Sequence, residues 1–255
     1  MADKYEDLRD RALLSLRTFL DSLDEKKGKL LAYWVYDYVR FLKKEQSFDP
    51  QKLVRYKRGS IVKVHLGYRV GSEEGGLHYA VVVDVENAKT SPVATVIPLT
   101  SIKPHTNLAK LHHSKLLLGT EIFDLLKEKI KAEIEETTRL TTSLLKKAEA
   151  EQSLEVDPDA PDAKTQTEMQ RRLSNALERE VYALNEKLAH CLTLDKEIQK
   201  MKPGSIALVG QITTISKIRI YDPLYPSDTL TSIRLSDETM DKLDEKMRAL
   251  FTKNT

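Results

Sequence analysis

The chain has one cysteine, Cys191, in 255 residues. A lone thiol can form no internal disulfide and no cysteine-based zinc site, which suits a reducing compartment. No run of 18 apolar residues occurs, so no segment is expected to span a bilayer. Residues 1–11 mix acids and bases without an apolar stretch and do not read as a secretory leader. These absences point to a cytoplasmic protein away from membranes. Net charge is also nearly absent, at +2. Charged residues make up 31% and hydrophobic ones 40%. That balance excludes a membrane protein and, for most of the chain, a disordered one. The length suffices for a sizeable core in one large or two small domains.

The small net charge hides an uneven distribution. Residues 1–50 carry ten Lys/Arg against ten Asp/Glu, and residues 51–119 carry ten against four, a surplus of +6. That basic block also holds five of the six histidines. Residues 120–200 carry thirteen basic and eighteen acidic side chains, a net −5. A basic, histidine-rich block beside an acidic one suggests an anionic ligand at the former, or simply a solvated basic face.

Residues 3–24 place Leu8, Leu13, Leu16, Phe19, Leu20 and Leu23 at helical spacing. Residues 25–28 interrupt the pattern, and a second helix is expected over 29–44, its Trp34, Tyr38 and Phe41 stripe serving for packing. Asp49-Pro50 closes this helical preface. β-branched runs at 60–66, 79–85 and 93–99, separated by turn residues, predict an antiparallel meander, with further strands at 205–209 and 217–220. Between the two strand groups, apolar residues from Ile122 to Ala148 and from Leu173 to Ile198 repeat in a heptad-like way amid Glu, Lys and Arg. A loop at 153–164, with Pro158 and Pro161, joins the two arms into an antiparallel helical hairpin, with Cys191 as a core thiol on its stripe. Ser236 followed by Asp237 and Glu238 opens a last helix to about Phe251. The implied division is 1–50, a helical segment; 51–119, a first sheet part; 120–201, the hairpin; and 202–255, a second sheet part with its helix.

Three blocks then stand out in order. They are Lys57-Arg58-Gly59-Ser60-Ile61-Val62 running into Val70-Gly71-Ser72-Glu73-Glu74-Gly75-Gly76, the stretch from Ser91-Pro92 to Pro98-Leu99-Thr100-Ser101, and Gln211-Ile212-Thr213-Thr214 onward to Ile220. Together they resemble the MazF/PemK family of toxin ribonucleases, over residues 57–103 and 204–251. The resemblance implies an α+β fold: a small SH3-like β-barrel, here elaborated by the N-terminal helical pair and the inserted hairpin. It implies a homodimer, a possible antitoxin partner, and cleavage of single-stranded RNA without metal or cofactor. In that chemistry the ribose 2′-hydroxyl attacks the adjacent phosphate and leaves a 2′,3′-cyclic phosphate. An arginine after the Gly-Gly pair and a threonine ending the third strand carry it in the family. The threonine is Thr100, but the arginine position holds His78, followed by Tyr79 where proline is usual.

Histidine titrates near neutrality and can act as acid or base. If residues 60–66 and 79–85 pair with residue numbers summing to 143, His65 lies opposite His78, and two imidazoles could share the work. The expected catalytic set is therefore His78, Thr100 and His65. Arg58, Arg69, Lys103 and Arg219 are phosphate candidates, and Ser72, Glu73, Gly75 and Gly76 form a glycine-rich lid over RNA, beside Gln211 as a base-edge contact. His105, His112 and His113 offer no metal site at usable spacing. Two rival readings remain at this point: an inactive RNA- or protein-binding module on the same sheet, and a helical assembly scaffold.

Overall fold

A computed structural model describes residues 2–152 and 163–253. Two helices lead, α1 (Ala2–Ser22) and α2 (Glu25–Glu45). The expected break at 25–28 is instead the first turn of α2. Asp24 sits at the N-cap in an extended conformation and its carboxylate accepts from the Lys27 amide at 3.0 Å. Gly28 is then an ordinary helical residue, its amide donating to the Asp24 carbonyl at 2.9 Å. Lys43 and Lys44 in the last turn complement the helix dipole.

The sheet contains β1 (Ile61–His65), β2 (Leu77–Val82), β3 (Val93–Ser101), β4 (Leu116–Gly119), β5 (Ser205–Ala207), β6 (Thr213–Ser216) and β7 (Ile220–Asp222). All pairings are antiparallel, in the order β4-β5-β3-β2-β1-β7, with β6 also on β3. The sheet is left open, with β4 and β7 at its ends. β3 is long enough to take β6 along its first half (Val93↔Ser216) and β5 along its second (Leu99↔Ala207). Three expectations change here. β4 was not foreseen, β6 begins where only a sequence block was noted, and residues 217–219 form a 3-10 turn, so the strand expected at 217–220 starts at Ile220.

One core face joins Val62, Val64, Leu66, Ala80, Val82, Ala94, Val96, Ile215 and Ile220 to Leu53 and Tyr56. The alternate residues Ile61, Val81 and Ile97 are equally buried. Both faces of β1–β3 are therefore covered, which explains unbroken β-branched runs in place of a clean polar alternation. α5 (Asp237–Phe251) starts as expected at Ser236, whose hydroxyl accepts from the Thr239 amide, and it buries Met240 and Leu243.

The chain divides into two compact units, residues 1–119 with 205–255, and residues 120–204. The second unit is α3 (Glu121–Gln152) packed on α4 (Ala163–Lys200). The helices run antiparallel, as the cross-pairs Lys147–Glu180 (2.7 Å), Lys187–Glu136 (2.5 Å) and His190–Glu133 (3.1 Å) require. Leu126, Leu144, Cys191, Leu194 and Ile198 are buried, whereas the stripe residues Ile134, Leu140, Leu173, Val181 and Leu188 remain exposed. The connection expected at 153–164 lies mostly outside the described residues.

Candidate functional site

The site grows from the turn between β1 and β2. Gly75 packs so close to the chain that a Cβ there would meet the Gly67 carbonyl at 2.8 Å, and Gly76 adopts φ +86°. The Leu66 amide donates to the Gly76 carbonyl and the Gly76 amide to the Gly67 carbonyl, both at 2.7 Å. This closure sets the strand register. Val64 faces His78 and His65 faces Leu77, so the numbers sum to 142 and not 143. The single-residue difference matters because neighbouring residues of a strand point to opposite faces. His65 and His78 are thus not a facing pair, contrary to expectation.

His78 is fixed by two partners. Its Nδ1 lies 3.2 Å from the Leu99 carbonyl oxygen and its Nε2 lies 3.1 Å from Glu74 Oε1. A carbonyl only accepts, so Nδ1 carries a hydrogen. A carboxylate also only accepts, so Nε2 faces an acceptor as well. Both side chains keep about a quarter of their surface exposed, within reach of a ligand (His78 25%, Glu74 29%). Thr100 follows Leu99 at the end of β3, opposite Ile206 of β5. Carrying the β2–β3 register from Ala80↔Pro98 two residues outward brings Thr100 level with His78.

The glycine-rich loop is tied down over this point. Gln211 closes a 3-10 turn at Val209–Gln211, accepts from the Glu74 amide at 3.3 Å and donates to the Ser72 carbonyl at 3.2 Å. Arg69 donates to the Leu66 carbonyl at 2.9 Å and lies 3.7 Å from Glu73. The structure therefore brings together His78, Arg69, Ser72, Glu73, Gly75, Gly76 and Gln211, with Thr100 at their edge. It adds Glu74, which the sequence reading left out of the candidate set. The available signal was its place four residues before His78.

His65 belongs to a different environment. Its ring stacks on Trp34 of α2, centroids 4.7 Å apart, and its Nδ1 accepts from the Gly67 amide at 3.0 Å. Burial, followed by smaller contributions from Arg219 and His78, pushes its pKa below the ordinary value against the pull of Asp37. Arg219 lies over Trp34 and donates to the His65 carbonyl at 2.8 Å. Burial, then Arg69, lowers its pKa as well. Trp34 does pack, as expected, but against a residue assigned to chemistry. Arg58 is held by the Val83 carbonyl and the Asp244 carboxylate of α5, so its guanidinium is spent inside the protein. Lys103 is exposed three residues beyond Thr100. His112 contacts Ser114 at 2.7 Å and its ring lies tilted against that of His113, and among the described residues no group of three or more His/Cys/Asp/Glu side chains could hold a metal ion.

What fold and site define is an α+β protein whose antiparallel sheet presents a histidine, a carboxylate and a strand-end hydroxyl under a glycine-rich loop. A family model for PemK-like, MazF-like toxins of type II toxin–antitoxin systems matches residues 57–190, more than half of the chain, and the protein belongs to that family. Toxins of this family are generally endoribonucleases. The match begins at the residue where the resemblance began. It then continues through β4, α3 and most of α4 and stops short of β5–β7, so its extent differs from the one read in the sequence. No curated protein matched the chain. Among the described residues no helix is long and apolar enough to cross a membrane.

Proposed function

We propose that this protein is a metal-independent endoribonuclease that cuts single-stranded RNA, the toxin of a toxin–antitoxin or phage-defence system acting in the cytoplasm as a homodimer. Its sheet serves as the family's SH3-like barrel, and α3 and α4 are an insertion that docks a partner such as an antitoxin. The observation that carries the reading is His78, in the family's arginine position, held between the Leu99 carbonyl and Glu74 beside Thr100. In the proposed reaction the 2′-oxygen forms a bond to phosphorus and the bond to the 5′-oxygen breaks. Glu74 accepts the 2′-hydroxyl proton, His78 delivers a proton to the departing 5′-oxygen, and the Thr100 hydroxyl donates to the phosphorane. For the phosphate to enter between them, the Glu74–His78 contact must open while Glu74 stays at the site, which gives the Gln211 tether the role of a latch. Arg69 and Lys103 are the cations assigned here to flanking phosphates.

A second reading, RNA binding without cleavage, draws on the same contacts, since both ring nitrogens of His78 are occupied while the loop is closed. Incubating the full-length protein with a long single-stranded RNA in EDTA separates the two. Fragments ending in cyclic phosphate support the nuclease, and a shifted but intact RNA supports the binder. Activity that vanishes in EDTA and returns with Mg²⁺ would overturn the metal-free chemistry.

A further inference from the structure

No Asp or Glu occurs between Glu86 and Glu121, while that stretch holds Lys89, Lys103, Lys110, Lys115 and three histidines. All of these but Lys89 lie in the connection from β3 to β4, residues 102–115, and Lys103, His105, Lys110, His112, His113 and Lys115 are exposed there. Among the described residues, none of Lys103, Lys110 and Lys115 has an ion-pair partner.

The connection is ordered by successive turns. The Thr106 amide donates to the Lys103 carbonyl at 2.9 Å, and the Thr106 hydroxyl accepts from the Lys103 amide at 3.1 Å. Asn107 then caps a 3-10 turn at Leu108–Lys110, its side chain accepting from the Ala109 amide at 3.1 Å. The Lys115 amide donates to the His112 carbonyl at 2.9 Å. Each turn therefore presents one lysine.

Both ends of the connection reach the His78 site. It leaves β3 two residues after Thr100. At its other end the Gly210 amide donates to the Ser114 carbonyl at 3.0 Å, and a Cβ on Gly210 would meet Ser114 Cβ at 2.9 Å. The next residue, Gln211, holds the backbone of Ser72 and Glu74. Glu74 is committed to His78. On α5, which packs against β4 and the 209–211 turn, Asp237, Glu238 and Asp244 are committed to Arg234, Lys242 and Arg58.

Cations spread along exposed turns suit an extended polyanion better than a small anion, and a strand held at His78 must pass over a flank of the site. We propose that residues 102–115 form the track on which single-stranded RNA lies to one side of the scissile bond, its phosphates met by Lys103, Lys110 and Lys115 with His105 and His113 between them. The assignment rests on the reading of the His78 site as an RNA site and adds the surface that holds the rest of the strand.

The test is fluorescence anisotropy of the full-length protein with a labelled single strand of about 12 nucleotides, over a series of salt concentrations. The strand carries 2′-fluoro riboses, which lack the attacking hydroxyl. Lys110→Glu and Lys115→Glu should each weaken binding by about 10-fold or more at low salt, with the thermal midpoint little changed. Lys110→Gln and Lys115→Gln should each lower the salt slope by about 0.7, a change that a merely structural role would not produce. Lys89→Glu is the control. It removes an exposed cation of the same acid-free stretch at the far end of β3, roughly 25 Å from Thr100, and should bind like the parent. Track variants that bind like the parent, an equal loss in Lys89→Glu, or a parent that does not bind would overturn the proposal. If the track variants lose a polyglutamate ligand but keep RNA, the surface serves an acidic protein and the proposal falls. Cleavage of unmodified RNA in EDTA is read separately. A parent that binds without cutting, with the track variants weakened, sinks the nuclease and supports the track, whereas a parent that cuts while those variants bind like it sinks the track alone.

Discussion

His78 is held on both sides of its ring. A carbonyl lies at its Nδ1 and a carboxylate at its Nε2, so both ring nitrogens face acceptors. The first prediction follows from that arrangement. His78→Ala should slow RNA cleavage by about 10²-fold or more, the usual scale for an acid–base group. Thr100→Val should cost on the order of 10-fold or more, since it deletes one donor to the phosphorane. RNA affinity and folding should change little in either variant. Single-turnover cleavage of a labelled RNA, alongside thermal unfolding, checks both, and parent-like rates in the pair would dismantle the site. The identity of His78 and Thr100 as candidates was legible from the blocks around them. Glu74 was not, because nothing in a Glu-Glu-Gly-Gly run tells which carboxylate folds back onto the strand that follows. Arg58 misled for a related reason: its motif position suggested phosphate, but Asp244, some 186 residues later, had already claimed it.

At the level of elements, α2 rests on the sheet through a few specific contacts. Trp34 stacks on His65 beneath Arg219, and the Tyr221 hydroxyl donates to Asp37 at 2.9 Å. This docking gives His65 a depressed pKa and leads to the second prediction. Above the ordinary value of 6.5 the ring is neutral in folded and unfolded chains alike. As pH falls below 6.5 the unfolded chain takes up the proton first, so stability declines and the loss is complete once pH passes the lower folded value. Trp34→Ala should remove about 1 kcal/mol or more of aromatic contact and, by uncovering His65, reduce that pH dependence. Urea unfolding of parent and variant across this range should therefore show a gap that narrows as pH falls. A gap independent of pH would show that Trp34 does not govern His65. Strand existence at β1–β3 was readable from β-branched runs, and α5 from its cap. The register was not, since it is set by the Leu66–Gly76–Gly67 hydrogen bonds inside a loop whose shape periodicity does not encode. β4 was hidden because Leu116-Leu117-Leu118 is as good a helix start as a strand, and only pairing with β5 decides it.

For the molecule as a whole, the two units carry different charge as well as different structure. Unit one contains every candidate site residue, whereas residues 120–200 are net acidic. Acidic helices make poor phosphate contacts. The third prediction is that replacing residues 120–204 by a short Gly/Ser linker leaves RNA cleavage at a similar rate but changes oligomeric state or abolishes partner binding. Cleavage assays and light scattering on the trimmed protein report both. A large gain in cleavage would make the helical unit an acidic cover instead, and failure to fold would make it part of the sheet's core. The heptad-like spacing revealed the two helices. It overstated their seam, because a lone pair of helices can cover only one side of each stripe, leaving Val181 and Leu188 in solvent.

The split of unit one across the chain has a consequence for its manufacture. β3 takes partners from well-separated parts of the sequence, β2 before it and β5 and β6 long after, and Gln211, which bonds the glycine-rich loop, also comes from the later segment. A ribosome making this protein must synthesise the whole of residues 120–204 after the early strands are out and before their partners exist. At common elongation rates that interval is roughly 4–17 s. Throughout it the second edge of β3 is unpaired and Thr100 has no neighbour on β5. A toxin assembled in this order keeps an unfinished sheet while residues 120–204 are being made, and gains the partners of β3 only once residues 205–216 have emerged.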